Sequence, residues 1–363
     1  MIRGDIDRKI ESTRKGFTEM KQFRRDIWED GEYTYAAAYG FTPNVRAFLH
    51  EPGEDGAAED SAMRDAMLVV PGGGYCMLAA HEGEPVAKAF YESGMNVFVL
   101  TYTTDITMSV PLKDQPLRDI ARAIRVLRKN AAEYGIEGKK IAVCGFSAGA
   151  HVAGSVTVHW DDVPETNPAY AGVSARPDAS LLCYPVITSG KFTHEYSMLA
   201  LLGPNPTEEE LAYYSLEKNV TKDTPPTFLW QTQTDTVVPV ENSYLFAQAL
   251  RENGVPFAHY VFPEGFHGLG LSKGFGHDGW TDGSYVMEQV NNAVAAVKAG
   301  RGVNVSERRV AELKAQFPDK REEPAPKDGD AKEEPAFIWK PDPTLTRDVG
   351  LWSDLAKVWF ARL

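Results

Sequence analysis

With 363 residues, 43% of them hydrophobic and 25% charged, the chain has the composition of a soluble globular enzyme and enough apolar side chains for a large core, which excludes disordered and membrane-spanning classes. A formal net charge of −13 excludes a polyanion such as nucleic acid as the main partner, because phosphate is bound through clustered Lys and Arg.

In chain order, residues 1–40 read as a polar N-terminal extension of helical character. Its opening MIRGDIDRKIESTRKGF has no apolar h-region, and no later stretch is long and apolar enough to span a bilayer. The expectation is a cytoplasmic protein without a membrane partner. FTPNVRAFLHEP follows as an early strand and GEDGAAEDS as a turn. AMLVV (Ala66–Val70) is a continuous apolar run of the kind that strands buried on both faces display, and it ends in PGGGY. The helix EPVAKAFYES separates it from a second such run, NVFVLTY, so the pair predicts a right-handed parallel crossover. The pattern repeats with the amphipathic helix PLRDIARAIRVLRKNAAEYG, then KIAVCGFSAG as strand, turn and helix start, and ASLLCYPVI, PTFLWQTQTD and FAHYVFPEG as three more strands. This alternation predicts an α/β fold with a mostly parallel central sheet flanked by helices, its ligand sites at the carboxyl ends of the strands.

Beyond residue 271, YVMEQVNNAVAAVKAG and SERRVAELKAQF read as two helices, the second capped by Ser306. PDKREEPAPKDGDAKEEPAF reads as a charged, Pro-rich surface loop. VGLWSDLAKVWFARL reads as a closing helix, with Leu351, Trp352, Leu355, Trp359 and Phe360 at helical spacing. The expected organisation is an extension over 1–40, a catalytic core over 41–271, an insertion over 272–348 and the closing helix over 349–363. Cys76, Cys144 and Cys183 have apolar neighbours and no metal spacing, which predicts reduced core thiols.

The chemistry centres on Gly145-Phe146-Ser147-Ala148-Gly149, between a strand and a helix. A nucleophilic serine on a sharp strand-to-helix turn needs neighbours without bulky side chains, because backbone passes close on both sides. Pro71-Gly72-Gly73-Gly74-Tyr75 closes an earlier strand. Acyl transfer passes through an oxyanion that backbone N–H groups stabilise, and Gly73, Gly74 and Ala148 are the expected donors. A phosphate cradle would need the P-loop Lys-Ser/Thr, which this loop lacks. Asp235 and His267 each follow a strand, in the order that a serine triad of this kind takes. Asp223 precedes its strand, Glu241 belongs to a helix, and His277 is the rival histidine; His151, one turn past the serine, reads as a packed neighbour. Tyr75, Phe146 and His81 are the expected substrate contacts, with Trp280 or Tyr75 as an aromatic platform for a sugar.

PGGGY, EGEPVA, NVFVLTY, GFSAGAH, the D-x-x-V-P that begins at Asp235, and FHG resemble the esterase/acetylesterase branch of the α/β-hydrolases, which includes acetyl-xylan and feruloyl esterase-like enzymes. The resemblance spans about 41–271 and resumes in the terminal helix. It implies an α/β-hydrolase fold, a Ser147–His267–Asp235 triad, an oxyanion hole at Gly73 and Gly74, and no metal or cofactor. Two departures stand out: 272–348 replaces a short connection, and Pro71 stands where the family often has His. The long connection is placed to cover the pocket or to form a subunit contact, which leaves a homo-oligomer open. The expected activity is hydrolysis of short-chain acyl esters, O-acetyl groups of carbohydrate above all, on a small-molecule or oligosaccharide substrate. An amide or peptide hydrolase of arylformamidase-like or dipeptidyl-peptidase-like type is the second reading, and a non-catalytic binding protein of the same fold is the third.

Overall fold

Short apolar runs bounded by Gly and Pro can bury both faces only as inner strands of a covered sheet, and the computed structural model, which describes residues 20–51, 63–274, 276–319 and 347–363, places them there. The strands are β1 Lys21–Asp26, β2 Asn44–Leu49, β3 Ala66–Val70, β4 Asn96–Thr101, β5 Ile141–Phe146, β6 Ala179–Cys183, β7 Thr227–Thr232 and β8 Phe257–Phe262. They form one sheet in the order β1-β2-β4-β3-β5-β6-β7-β8. Pairing is antiparallel at β1–β2 and β2–β4 and parallel in every other pair. The mostly parallel α/β fold expected from the strand–helix alternation is therefore present.

Alternate residues of each strand feed two cores. Ala66, Leu68 and Val70 of β3 face one, with α2 (Gln115–Lys129), α3 (Ala148–His159), α6 (Glu241–Glu252) and α7 (Glu288–Lys298) packed over them. Met67 and Val69 face the other, under α1 (Glu84–Tyr91) and α9 (Trp352–Phe360). Cys76, Cys144 and Cys183 are buried free thiols. No helix among the described residues is long and apolar enough to cross a membrane.

One expectation changes. Within the extension expected to be helical, residues 21–26 are instead an edge strand paired with β2 from Lys21↔Leu49 to Asp26↔Asn44. Its KQFRRD sequence is charged and only partly buried, as edge strands are, so hydrogen bonding to β2 rather than a buried apolar stripe decides its form. Residues 1–19, the turn GEDGAAEDS and all but Pro318 and Asp319 of the charged Pro-rich stretch lie outside the described residues. The stretch after β8 forms the two expected helices, α7 and α8 (Glu307–Gln316), with Ser306 Oγ capping the Arg309 N–H at 3.2 Å. Val290, Ala293, Val294 and Val297 of α7 and Leu313 of α8 belong to the first core, so this segment is built into the fold rather than hung upon it. Gln289 of α7 also holds the end of β4, accepting the Thr104 N–H at 3.0 Å and donating to Thr104 Oγ1 at 2.5 Å.

Candidate active site

The turn between β5 and α3 puts Ser147 at φ +52°, ψ −120°, a conformation that non-glycine residues avoid. The flanking glycines explain themselves. A Cβ on Gly145 would lie 2.6 Å from the Ala150 Cα, and one on Gly149 would lie 2.6 Å from the Pro71 carbonyl carbon. The Ser147 N–H donates to the Cys183 carbonyl at 3.0 Å, and its own carbonyl accepts from Val186 at 3.2 Å, which ties the turn to the end of β6.

His267 and Asp235 arrive from the carboxyl ends of β8 and β7. His267 Nε2 is 2.7 Å from Ser147 Oγ, and its Nδ1 is 2.7 Å from Asp235 Oδ2. The Asp235 side chain is fully buried and aimed by four donors: the Val237 and Val238 N–H groups, both 2.9 Å from Oδ1, and Gln231 Nε2 and His267 Nδ1 on Oδ2. A hydroxyl that donates to Nε2 while Nδ1–H donates to a carboxylate is the resting state of a serine nucleophile with its base. The rival residues lie elsewhere. Asp223 is exposed in a turn before β7, Glu241 opens α6, and His277 stands 3.8 Å from Glu84 at the start of α1. His151 is buried, accepts the Tyr75 hydroxyl on Nδ1 at 2.7 Å and donates from Nε2 to the Tyr214 carbonyl at 3.0 Å. Burial pushes its pKa down to about 4, so it is a neutral packed residue, as expected.

The Gly-rich loop lies against the serine: a Cβ on Gly72 would stand 2.9 Å from the Ser147 Cβ. Gly73 and Gly74 have φ of +130° and +62°, which glycine alone adopts without strain. The Gly73 carbonyl is turned toward the N–H groups of Cys76 and Met77, at 3.1 and 3.2 Å. Among the described residues no hydrogen bond takes the N–H groups of Gly73, Gly74 or Ala148.

The expected substrate contacts are corrected. Tyr75 is 1% exposed with its hydroxyl on His151, and Phe146 is fully buried against Tyr184 and Trp352. Phe146 follows the alternation of β5 into the interior, and Tyr75 is turned inward by the turn after β3, at φ +64°. His81 Nε2 donates to the Gly268 carbonyl at 2.9 Å, so it braces the His267 loop. Trp280 packs on Phe48 and Tyr91 with centroids 4.5 and 5.2 Å away, at the antiparallel side of the sheet. An exposed aromatic beside the Gly-rich loop is Tyr196 of α4 (Glu195–Leu202), 45% accessible, with a ring carbon 3.3 Å from where a Gly74 Cβ would stand. His194, just before α4, has its pKa lowered by burial and by the neighbouring His267. Its Nδ1 is 2.8 Å from Ser197 Oγ. The sequence carried a signal for both, since T-H-E-Y follows the carboxyl end of β6, where sites in such sheets gather.

The BD-FAE family model matches residues 57–250, more than half of the chain. Endo-1,4-beta-xylanase B of Butyrivibrio fibrisolvens is 59% identical over 279 residues, which are 77% of this chain and 43% of that protein. An acetylxylan esterase of Xylanibacter ruminicola is 29% identical over 58% of this chain and 42% of its own length. The chain thus spans less than half of either curated relative. The crystal structure of an acetyl ester-xyloside bifunctional hydrolase from Caldicellulosiruptor lactoaceticus is 37% identical, superposes with a TM-score of 0.63, and is covered over 97% of its length by 77% of this chain. The chain belongs to the BD-FAE family of α/β-hydrolase esterases.

Proposed function

We propose that the chain is a serine ester hydrolase that removes short acyl groups, acetyl above all, from carbohydrate. The observation that carries the proposal is the relay of two 2.7 Å hydrogen bonds from Asp235 through His267 to Ser147 on a strained turn. His267 Nε2 takes the hydroxyl proton as Ser147 Oγ adds to the ester carbonyl, and Asp235 stabilises the imidazolium. The Ala148 N–H, first in α3, and those of Gly73 and Gly74 receive the oxyanion. The protonated imidazole then gives its proton to the departing alcohol, and water, deprotonated by the same base, releases the acyl group from Ser147. The names of the relatives, xylanase, acetylxylan esterase and acetyl ester-xyloside hydrolase, support acetylated xylan fragments as the substrate class. Tyr196 supplies the exposed ring on which a pyranose packs.

The test is hydrolysis of p-nitrophenyl acetate, butyrate and octanoate, acetylated xylo-oligosaccharide and an anilide by wild type, Ser147→Ala and Tyr196→Ala. Acetyl esters and acetylated sugar should turn over fastest, and Ser147→Ala should lose roughly 10⁴- to 10⁶-fold in kcat. Tyr196→Ala should raise KM about tenfold for the oligosaccharide and by less for the nitrophenyl ester, the loss of about 1 to 2 kcal/mol of stacking. Anilide turnover above that of the esters would move the chain to the amide hydrolases. Wild-type activity in Ser147→Ala would sink the mechanism.

A further inference from the structure

The short 3-10 turn Ala80–Glu82 lies between the Gly-rich loop and the His267 loop and holds both. Its Glu82 carboxylate, 2% exposed, accepts the Gly72 N–H on Oε2 at 2.7 Å and the Tyr184 hydroxyl on Oε1 at 2.6 Å. That hydroxyl accepts the Gly270 N–H at 2.9 Å. Gly72 directly precedes the oxyanion donor Gly73, and Gly270 follows His267 closely, so one carboxylate and one phenol bridge the two sides of the site. Adjacent contacts run the same way: His81 Nε2 donates to the Gly268 carbonyl, and Trp352 Nε1 of α9 donates to the Gly270 carbonyl at 2.8 Å.

A carboxylate buried between a backbone N–H and a phenol, with His81 Nε2 3.8 Å from its Oε1, is a costly way to build a turn, and an amide or apolar side chain would cost less if folding alone were at stake. Both of its oxygens are spent on loops that must converge on Ser147. Tyr184 itself sits at φ +36°, a strained position for a side chain of that size, with its ring edge-to-face on His267 at 5.0 Å. We propose that Glu82 is a positioning residue that acts through Tyr184 to hold the oxyanion donors and the base in one register about Ser147. The proposal rests on the reading of Ser147 and His267 as nucleophile and base. A slip of about 1 Å between the two loops would cost on the order of 100-fold in rate, because one must meet the carbonyl oxygen while the other takes the proton of the hydroxyl that attacks the same carbonyl.

The experiment measures kcat and KM for p-nitrophenyl acetate with wild type, Glu82→Gln, Tyr184→Phe, the double variant and Ser147→Ala, each well below its Tm. Glu82→Gln keeps the size and leaves one acceptor where two are needed; Tyr184→Phe keeps the ring on His267 and removes the bridge. Each single variant should lower kcat about 10- to 100-fold with KM within about threefold, and the double variant should be no worse than the worse single, since the two act as one unit. A folded single variant with kcat within twofold of wild type overturns the proposal, as do effects that multiply in the double variant. If Tyr184→Phe does not fold, Glu82→Gln decides by the same kcat criterion. Wild-type activity in Ser147→Ala would overturn the underlying mechanism and this proposal together, whereas an inactive Ser147→Ala beside a normal Tyr184→Phe removes the positioning role alone.

Discussion

Ser147 and His267 meet in one hydrogen bond but are brought there by different kinds of structure. The serine is held by main chain: β5 behind it, α3 ahead, the Pro71 and Phe146 carbonyls and the Cys183 carbonyl around it, with glycines wherever a Cβ would intrude. The histidine rides on a loop fixed by side chains from four other parts of the chain: Thr232 and Thr234 on the Gly265 carbonyl, His81 on that of Gly268, Tyr184 on the Gly270 N–H and Trp352 on the Gly270 carbonyl. Main-chain packing admits no partial fit, whereas a set of side-chain hydrogen bonds can be removed one at a time. Substitutions at the serine turn should therefore act all-or-none, and substitutions around the histidine loop by degrees.

Gly149→Ala carries the largest expected effect. The added methyl would run into the Val70 and Pro71 carbonyl groups, backbone with no flexible end to give way. α3 and the Gly-rich loop would have to separate, at a cost above about 4 kcal/mol. The variant should be recovered without esterase activity and with a sharply lowered Tm, or not recovered in folded form. A Tm within a few degrees of wild type together with retained kcat would break the all-or-none side of the comparison.

The same contrast decides what is legible in the sequence. The serine turn is readable because its causes are local: an apolar strand, two glycines and a helix start within ten residues. Asp235 and His267 are readable as residues at strand ends, since the parallel order sends every such end to one rim of the sheet. Glu82 and Tyr184 are not, because the bond between them closes over 102 residues and nothing in H-E-G-E or C-Y-P announces it. Tyr75 and Phe146 mislead for a related reason: an aromatic next to such a motif points inward or outward according to the pleat, for Phe146, or the geometry of the turn, for Tyr75, and both point inward. Residues 21–26 carry no apolar alternation at all, and their strand exists because β2 offers an open edge.

His151 tests whether the serine side depends on main chain alone, since its ring links α3 to Tyr75 of the Gly-rich loop. Its pKa is lowered by burial to about 4. An unfolded histidine takes up its proton near pH 6.5, so between about 6.5 and 4 the unfolded chain binds more protons than the folded one and stability falls as pH falls. The contribution is fully present above about pH 6.5, and roughly 3 kcal/mol is lost on the way down to pH 4. His151→Gln has no such group, so urea titrations at pH 8 and pH 4.5 should show the wild type losing about 2.5 kcal/mol more than the variant. Parallel losses would show that His151 is protonated in the folded protein. A large fall in kcat for His151→Gln at pH 8 would mean that the serine turn also leans on side chains, and the contrast would narrow.

Thr234→Val has the smallest expected effect and probes the histidine side most gently. Thr234 Oγ1 donates to the Gly265 carbonyl at 2.8 Å and accepts the Gly265 N–H at 2.9 Å, a two-way clasp between the Asp235 loop and the His267 loop. Thr234 is exposed, so water replaces both bonds when valine removes the hydroxyl, and the net cost is about 1 kcal/mol. Thr232 still holds the same carbonyl at 3.0 Å, and Tyr184, His81 and Trp352 still hold the rest of the loop. The expected outcome is a Tm lower by about 2 °C and a kcat reduced about two- to fivefold with KM unchanged. A loss of 100-fold or more would mean that this one clasp sets the position of His267, and the loop would then be as unforgiving as the turn that carries Ser147.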